Sequence, residues 1–328
     1  MYSNSNLSVD SRIDITKHTD KDHAFLSDVL SGLSASQKRL PSKYFYDEIG
    51  SQLFDEICEL DEYYPTRTEM GIMEDNIQEI VRFIGPNALL IEYGSGSSLK
   101  TRTLLENLKD LAGYVPIDIS KEHLLSSAAQ LTLDFSHIEV LPVHADYSAE
   151  ISLPKPTAAV SKKVVYFPGS TIGNFTPEES VAFLERVKMI SEEGGGLLIG
   201  VDLKKTEHVL EAAYNDAKGV TAAFNLNLLS RINKELNADF DLDAFEHKAI
   251  FNTLEGRIEM HLISRAAQIV TIASNKIHFE AGETIHTENS YKYTLAEFAA
   301  IGKKAGLKVQ RVWTDSRCLF SVQYLTVE

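Results

Sequence analysis

The residues of this chain best able to do chemistry sit where apolar runs end. Glu92-Tyr93-Gly94-Ser95-Gly96-Ser97-Ser98 closes the run that starts at Ala88, and glycines there let backbone approach a ligand at a helix N-terminus. A dinucleotide fingerprint wants a third glycine at position 99; this chain has Leu99, so a nucleoside without a pyrophosphate fits better. Asp118 ends the next apolar run, 24 residues beyond Gly94, where a carboxylate can accept both ribose hydroxyls. In His144-Ala145-Asp146-Tyr147, Asp146 can accept an adenine amino proton and Tyr147 can flank the ring. Either Asp alone is equally well explained as a helix N-cap; the set together reads as nucleoside binding. Gly169-Ser170-Thr171-Ile172-Gly173-Asn174 follows a fourth run, and its Asn offers a fixed donor and acceptor to a carboxylate or amine. It is not the GxSxG elbow of a hydrolase. GxxxxGK[ST] and HExxH are absent and the ten histidines are scattered, so no metal site is expected.

These residues need strands and helices to hold them. Apolar spacing predicts a helix over 20–33, an aromatic turn at 44–50 running into a helix to Cys58, and a long helix over 66–84. Thr66 would be that helix's N-cap, with Glu69 in capping-box position. Strands follow at 88–93, 114–118, 138–143, 163–167 and 196–202, alternating with helices at 101–111, 121–131 and 177–190, the pattern of a parallel sheet covered on both faces. Two last strands, 308–313 and 319–326, are joined by too short a turn for anything but antiparallel pairing. A plain dinucleotide fold does not end so, whereas a class I methyltransferase sheet does. Residues 203–291 exceed what one crossover needs; they hold a helical part at 207–236, a strand at 256–262 and a loop-like segment around Glu288.

Composition sets the outer bounds. With 328 residues, 44% hydrophobic and 24% charged, the chain is an ordinary globular protein of one enlarged or two smaller domains. Lys+Arg 32 against Asp+Glu 47 gives −15, and no basic cluster exceeds a pair, which disfavours nucleic acid and anionic membranes. Two cysteines, a polar start and no long apolar run imply a reduced, cytoplasmic protein without disulfides or membrane spans.

Phe45-Tyr46-Asp47, Gly50-Ser51, Leu53-Phe54, Glu62-Tyr63-Tyr64-Pro65-Thr66-Arg67, Tyr93 to Thr101 and Gly169 to Asn174 occur in that order. Together they resemble the bacterial histidine-specific N-alpha-methyltransferases of ergothioneine biosynthesis, from Tyr44 to the C-terminus. The resemblance implies S-adenosyl-L-methionine as methyl donor and trimethylation of the amino group of L-histidine, giving hercynine. It implies cofactor contacts at Gly94, Lys100, Asp118, Asp146 and Tyr147. Tyr63 (or its neighbour Tyr64), Gly169, Asn174 and Tyr214 would hold the amino-acid end, with Tyr46 near the amine; Tyr46 and Asn174 form the expected catalytic pair. Glu288 and Ser290 would hold the imidazole and Met260 would line the pocket. Core packing alone would also explain Met260, Tyr63 and Tyr214.

The expected fold is α/β: a Rossmann-like class I methyltransferase sheet with a C-terminal antiparallel hairpin (66–202 and 292–328), plus an α+β substrate-binding domain (20–65 and 203–291) and a flexible tail (1–19). A monomer is expected. A methyltransferase of another aromatic amine, such as a tryptophan derivative, and a non-catalytic adenosine-binding regulator remain open from the residues.

Overall fold

The computed structural model describes residues 15–94, 99–145 and 151–327. The described residues open with α1 (Ile15–Leu33), which takes in the end of the tail expected over 1–19, residues 1–14 of which lie outside the described residues; the two-residue strand β1 (Lys38–Arg39), α2 (Glu48–Cys58) and α3 (Tyr64–Ile84) follow. An alternating stretch follows: β2 (Ala88–Tyr93), α4 (Leu99–Asn107), β3 (Gly113–Asp118), α5 (Lys121–Asp134), β4 (Val143–His144), β5 (Lys162–Phe167), α6 (Pro177–Ser191) and β6 (Gly196–Asp202). Next come α7 (Glu207–Ala212), α8 (Val220–Leu236), β7 (Phe245–Asn252), β8 (Arg257–Ser264), β9 (Gln268–Ile272), β10 (Asn275–Phe279) and β11 (Thr284–Tyr291). The last elements are α9 (Leu295–Lys304), β12 (Leu307–Thr314) and β13 (Phe320–Val327).

A seven-stranded sheet runs β12-β13-β6-β5-β2-β3-β4. From β6 to β4 its strands are parallel, whereas β13 pairs antiparallel with β6 and with β12, the expected hairpin. β2 and β6 are buried along their whole length, as befits strands covered on both faces. Ile72, Ile80, Leu104 and Trp313 pack on one face, and Phe183, Leu184, Val187 and Phe298 on the other. Strand order reverses between β2 and β5, so the loops after Tyr93 and Phe167 face each other across the crevice where open α/β sheets bind ligands.

A second sheet runs β1-β11-β8-β7. Ile258, Met260 and Leu262 of β8 alternate onto its inner face and join the core formed with Val29, Phe45, Phe224 and Leu228. Among the described residues no helix is long and apolar enough to cross a membrane.

Six expectations need correcting. α3 begins at Tyr64, not Thr66, because Pro65 suits the first turn, where its missing N–H costs nothing. Glu69 is therefore no capping residue; it is fully buried. The strand expected over 138–143 shrinks to Val143–His144 plus one bridge from Val140 to Tyr114. The helix expected over 207–236 breaks before Gly219, whose backbone is left-handed (φ 74°), and Asp216 receives the first amides of α8 from Val220 (2.9 Å) and Thr221 (2.8 Å). The loop around Glu288 is strand β11, and β8 runs on to Ser264, because each has a partner strand in the second sheet. Alternation fails at Ile263 without ending a strand paired on both edges.

Candidate active site

Tyr46, Tyr63, Gly169, Asn174, Tyr214, Met260, Glu288 and Ser290 line one pocket, joined by Phe54, Thr171 and Phe224. About 520 Å³ of space lies within it when the open mouth is counted.

Each wall is held by a local device. Asp47 caps α2 through Gly50 N (2.7 Å) and accepts from Asn227 on α8 (2.8 Å), which pins Tyr46 beside Phe54 and Phe224. Arg67 donates to the carbonyls of Leu60 (3.0 Å), Asp61 and Tyr63 (3.3 Å), latching the loop that presents Tyr63. Tyr63 faces the pocket, whereas the Tyr64 hydroxyl turns away to Asp202 (2.7 and 2.8 Å). His247 grips the carbonyl of Tyr214 (2.8 Å) while its other ring nitrogen accepts from Asn225 (2.9 Å); burial pushes its pKa down, which keeps the ring neutral. The rings of Phe54, Tyr63 and Tyr214 meet edge to face at 6.0–6.3 Å.

The loop after β5 lies against β11. A side chain at Gly173 would meet the Tyr291 carbonyl at 2.8 Å, so only glycine permits that approach. Asn174, with its amide oriented to satisfy both ends, then donates to Glu288 Oε1 (3.3 Å) and to the carbonyl of Asn289 (3.1 Å). Ser170 holds a left-handed backbone (φ 56°), and its hydroxyl accepts from Asp202 N (2.9 Å). A bulge between His286 and Glu288 puts Glu288 and Ser290 on the face shared with Met260 and Ile258.

The chemistry beneath this wall was not foreseen. Lys292 is buried and donates to Asp202 Oδ2 (2.8 Å), Ser290 Oγ (2.8 Å) and the Tyr214 hydroxyl (3.1 Å). Asp202 also receives Lys205 (2.6 Å) and Tyr64. Burial opposes the charge on Lys292, but Asp202 more than offsets it and its pKa ends raised. Burial likewise disfavours the Asp202 carboxylate, and the two lysines overturn that, lowering its pKa. Burial takes Lys205 down to about 8. Among the described residues Glu288 has no ion pair: burial raises its pKa to about 7, with Lys292 pulling the other way.

On the outer face of the same strands, one donor atom each from Glu259, His261 and His286 lie within 4.8 Å of one another. Arg257 already pairs with Glu259 (2.7 Å), and the two imidazoles stack at 4.7 Å. His286 also reaches the carbonyl of Glu288 (3.1 Å), so this group buttresses β11 behind the pocket.

On the sheet side, Gly94 has a left-handed φ of 70° and nothing within 4 Å of where a side chain would start. Its N–H bonds to the Ile117 carbonyl (2.8 Å), which ties it to the end of β3, where Asp118 is partly exposed and accepts from Ser120 N (2.8 Å). Lys100 is paired with Glu69, whose carboxylate also accepts from Gly169 N (2.9 and 3.0 Å). Open glycine backbone beside a partly exposed carboxylate fits an adenosyl group. Asp146 and Tyr147, and Ser95 to Ser98 of the glycine motif, lie outside the described residues.

Residues 25–327 match the family model described as histidine-specific methyltransferase, SAM-dependent. The chain belongs to this family. It is 44% identical over 298 residues to a histidine N-alpha-methyltransferase of Mycolicibacterium smegmatis, covering 89% of this chain and 91% of that one. It is 39% identical to the histidine N-alpha-methyltransferase of Mycobacterium tuberculosis, covering 93% and 96%. The ergothioneine biosynthesis protein 1 of Neurospora crassa is 30% identical over 84% of this chain, which spans 32% of that longer protein. The fold is accordingly the Rossmann-like class I methyltransferase sheet, and the family's methyl donor is S-adenosylmethionine.

Lys292, Asp202, Glu69, Phe54 and Phe224 escaped the sequence reading as site residues. Lys292 follows Ser290 by two positions, which on a continuing strand places both on one face, and that spacing was the available signal. Phe54 belongs to a block already singled out; Phe224 carries no signal beyond its place on an apolar helix face.

Proposed function

We propose that this enzyme transfers methyl groups from S-adenosylmethionine to the α-amino nitrogen of L-histidine, up to three times, giving hercynine, the entry step of ergothioneine biosynthesis. The observation that carries this reading is the gathering of Glu288, Ser290, Asn174 and the Tyr46–Tyr63–Tyr214 wall around one pocket beside the crevice of the methyltransferase sheet. Gly94, Lys100 and Asp118 would hold the cofactor from the ends of β2 and β3, with Asp146 and Tyr147 completing the adenine side. When bound, S-adenosylmethionine supplies an electrophilic methyl on a sulfonium.

Transfer to an amine needs alignment more than a covalent intermediate. Asn174 and Tyr214 would fix the amino-acid end; Gly169 offers its backbone beside them. Glu288 accepts from one imidazole nitrogen and Ser290 donates to the other, with Met260 packed against the ring. Tyr46 and Asn174 orient the amine, and its proton leaves to water held near them. The aromatic wall carries no formal charge, so it tolerates the ammonium that forms at each step.

The pocket lies between the seven-stranded sheet and the smaller one, which supports a division into a cofactor unit (66–202, 292–328) and a substrate unit (20–65, 203–291). Acidity and the absence of a basic cluster support a cytoplasmic monomer acting on a free amino acid. Product mass spectrometry with histidine and S-adenosylmethionine is the test. Mono-, di- and trimethylated α-amine should appear in time order; methyl on a ring nitrogen would overturn the orientation given to Asn174. The family's methyltransferase chemistry leaves a purely adenosine-binding role without support.

A further inference from the structure

We propose that Lys292 is a specificity-determining positioning residue: it fixes the Ser290 hydroxyl as a donor toward the pocket, so that the site demands a ring bearing both an N–H and an acceptor nitrogen. The proposal rests on the reading above, in which Glu288 and Ser290 bracket the substrate's ring.

An ammonium has three donors and no acceptor. All three of Lys292 are spent, on Asp202 Oδ2 (2.8 Å), Ser290 Oγ (2.8 Å) and the Tyr214 hydroxyl (3.1 Å). Ser290 Oγ and the Tyr214 hydroxyl are themselves 2.9 Å apart, so one hydroxyl hydrogen lies between them. The phenol is the stronger acid and donates. Ser290 then accepts twice, from Lys292 and Tyr214, and both its lone pairs are used. Its own hydrogen is what remains, and Ser290 lines the pocket. Two positions away on β11, Glu288 lines the same pocket with acceptor oxygens. One donor and one acceptor thus stand side by side, the complement of a neutral imidazole and of neither a phenyl nor an indole.

Without a cation at 292 the hydroxyl could turn either way, accepting as readily as donating. The arrangement around Asp202 makes this testable. Lys205 (2.6 Å) and Tyr64 (2.7 Å) also bind that carboxylate, so removing Lys292 does not leave a buried anion unpaired.

The experiment compares histidine with 3-(pyrrol-2-yl)alanine and 3-(pyrrol-3-yl)alanine, which keep a ring N–H but lack the acceptor nitrogen. Wild-type enzyme should favour histidine by roughly a hundredfold or more in kcat/KM. Lys292→Met should lose about ten- to a hundredfold on histidine, mainly through KM, and little on the pyrroles, so the ratio collapses. Ser290→Ala, which keeps the Lys292–Asp202 pair, should produce the same collapse, and the double variant should lose no more than either single one. Lys292→Arg should restore part of the preference. Equal losses on histidine and pyrroles by Lys292→Met, or additive losses in the double variant, would overturn the role of Lys292 while leaving histidine methylation intact. A wild-type enzyme that turns over pyrroles as well as histidine would overturn it too, and one inert toward histidine would sink the functional reading beneath it.

Discussion

The two ends of the pocket are built on opposite principles. At the aromatic end, Tyr46, Phe54, Tyr63 and Phe224 meet at ring distances of 5.7–6.3 Å with no charged side chain among them. At the other end, Glu288 and Ser290 stand over a buried cluster of Lys292, Asp202 and Lys205. In the proposed orientation the first end would accept an amine whose bulk and charge change at each methylation, and ring faces suit a group that keeps no fixed hydrogen-bond pattern. The second would recognise a ring that does not change, and fixed donors and acceptors do that best. A site that acts repeatedly on one atom of its substrate can thus be adaptable at that atom and exacting elsewhere.

The sharpest way to break this contrast is Glu288→Ala. It should lower kcat/KM for histidine by roughly ten- to a thousandfold and relax discrimination against larger aromatic amino acids, more so with Met260→Val. Unchanged activity and selectivity in the folded variant would show that the carboxylate does not contact the substrate, and a tryptophan-type substrate would move ahead.

Stability should respond in the opposite sense. Glu288 titrates at about 7 in the folded protein, against 4.5 for an ordinary glutamate. Between those values the folded state holds a proton that the unfolded state releases, so wild-type stability falls as pH rises from about 4.5 to about 7. Glu288→Gln removes that slope. Urea melts without substrate should find it more stable than wild type at pH 8, by at most about 3 kcal/mol, and nearly equal at pH 4.5. A constant difference across that range would show the burial cost to be absent.

Asp118→Ala touches neither end and serves as the control. Calorimetry should show S-adenosylmethionine binding weakened by about 1–3 kcal/mol with histidine selectivity unchanged. Tight binding of NAD in preference to S-adenosylmethionine would contradict the cofactor assignment. The smallest effect belongs to the adaptable wall. Phe54→Leu should let mono- and dimethylhistidine accumulate by slowing the later steps about two- to tenfold, the worth of one cation–π contact. An equal slowing of all three steps would mean the ring is packing only.

Much of this was legible in the sequence because the relevant information is local. Asp118 ends a strand, and Gly94 and Asn174 lie in the segments that follow strands, whose apolar runs are plain; a parallel sheet must deliver such residues to one edge. Where the reading failed, the decisive partner was remote. Glu69 has the spacing of a capping box, and nothing nearby reveals that Lys100 and Gly169 will claim its carboxylate. Lys292 looks like a surface lysine until Asp202, at the far end of the insertion, is brought beside it. The segment around Glu288 alternates too poorly to read as a strand, since its bulge shifts the register after His286.

The hairpin that completes the large sheet carries a consequence for how this molecule is made. Asp202, the hub beneath the pocket, is the last residue of β6 and pairs across to Phe320 of β13. As the chain emerges in order, residues 203–319 are synthesised while that edge of β6 still lacks its neighbour. Such an edge is a template for pairing with other chains. Lesions in β13 should therefore surface as insoluble protein before they surface as slow enzyme, with the soluble yield of nascent chains, rather than turnover, as the sensitive measure.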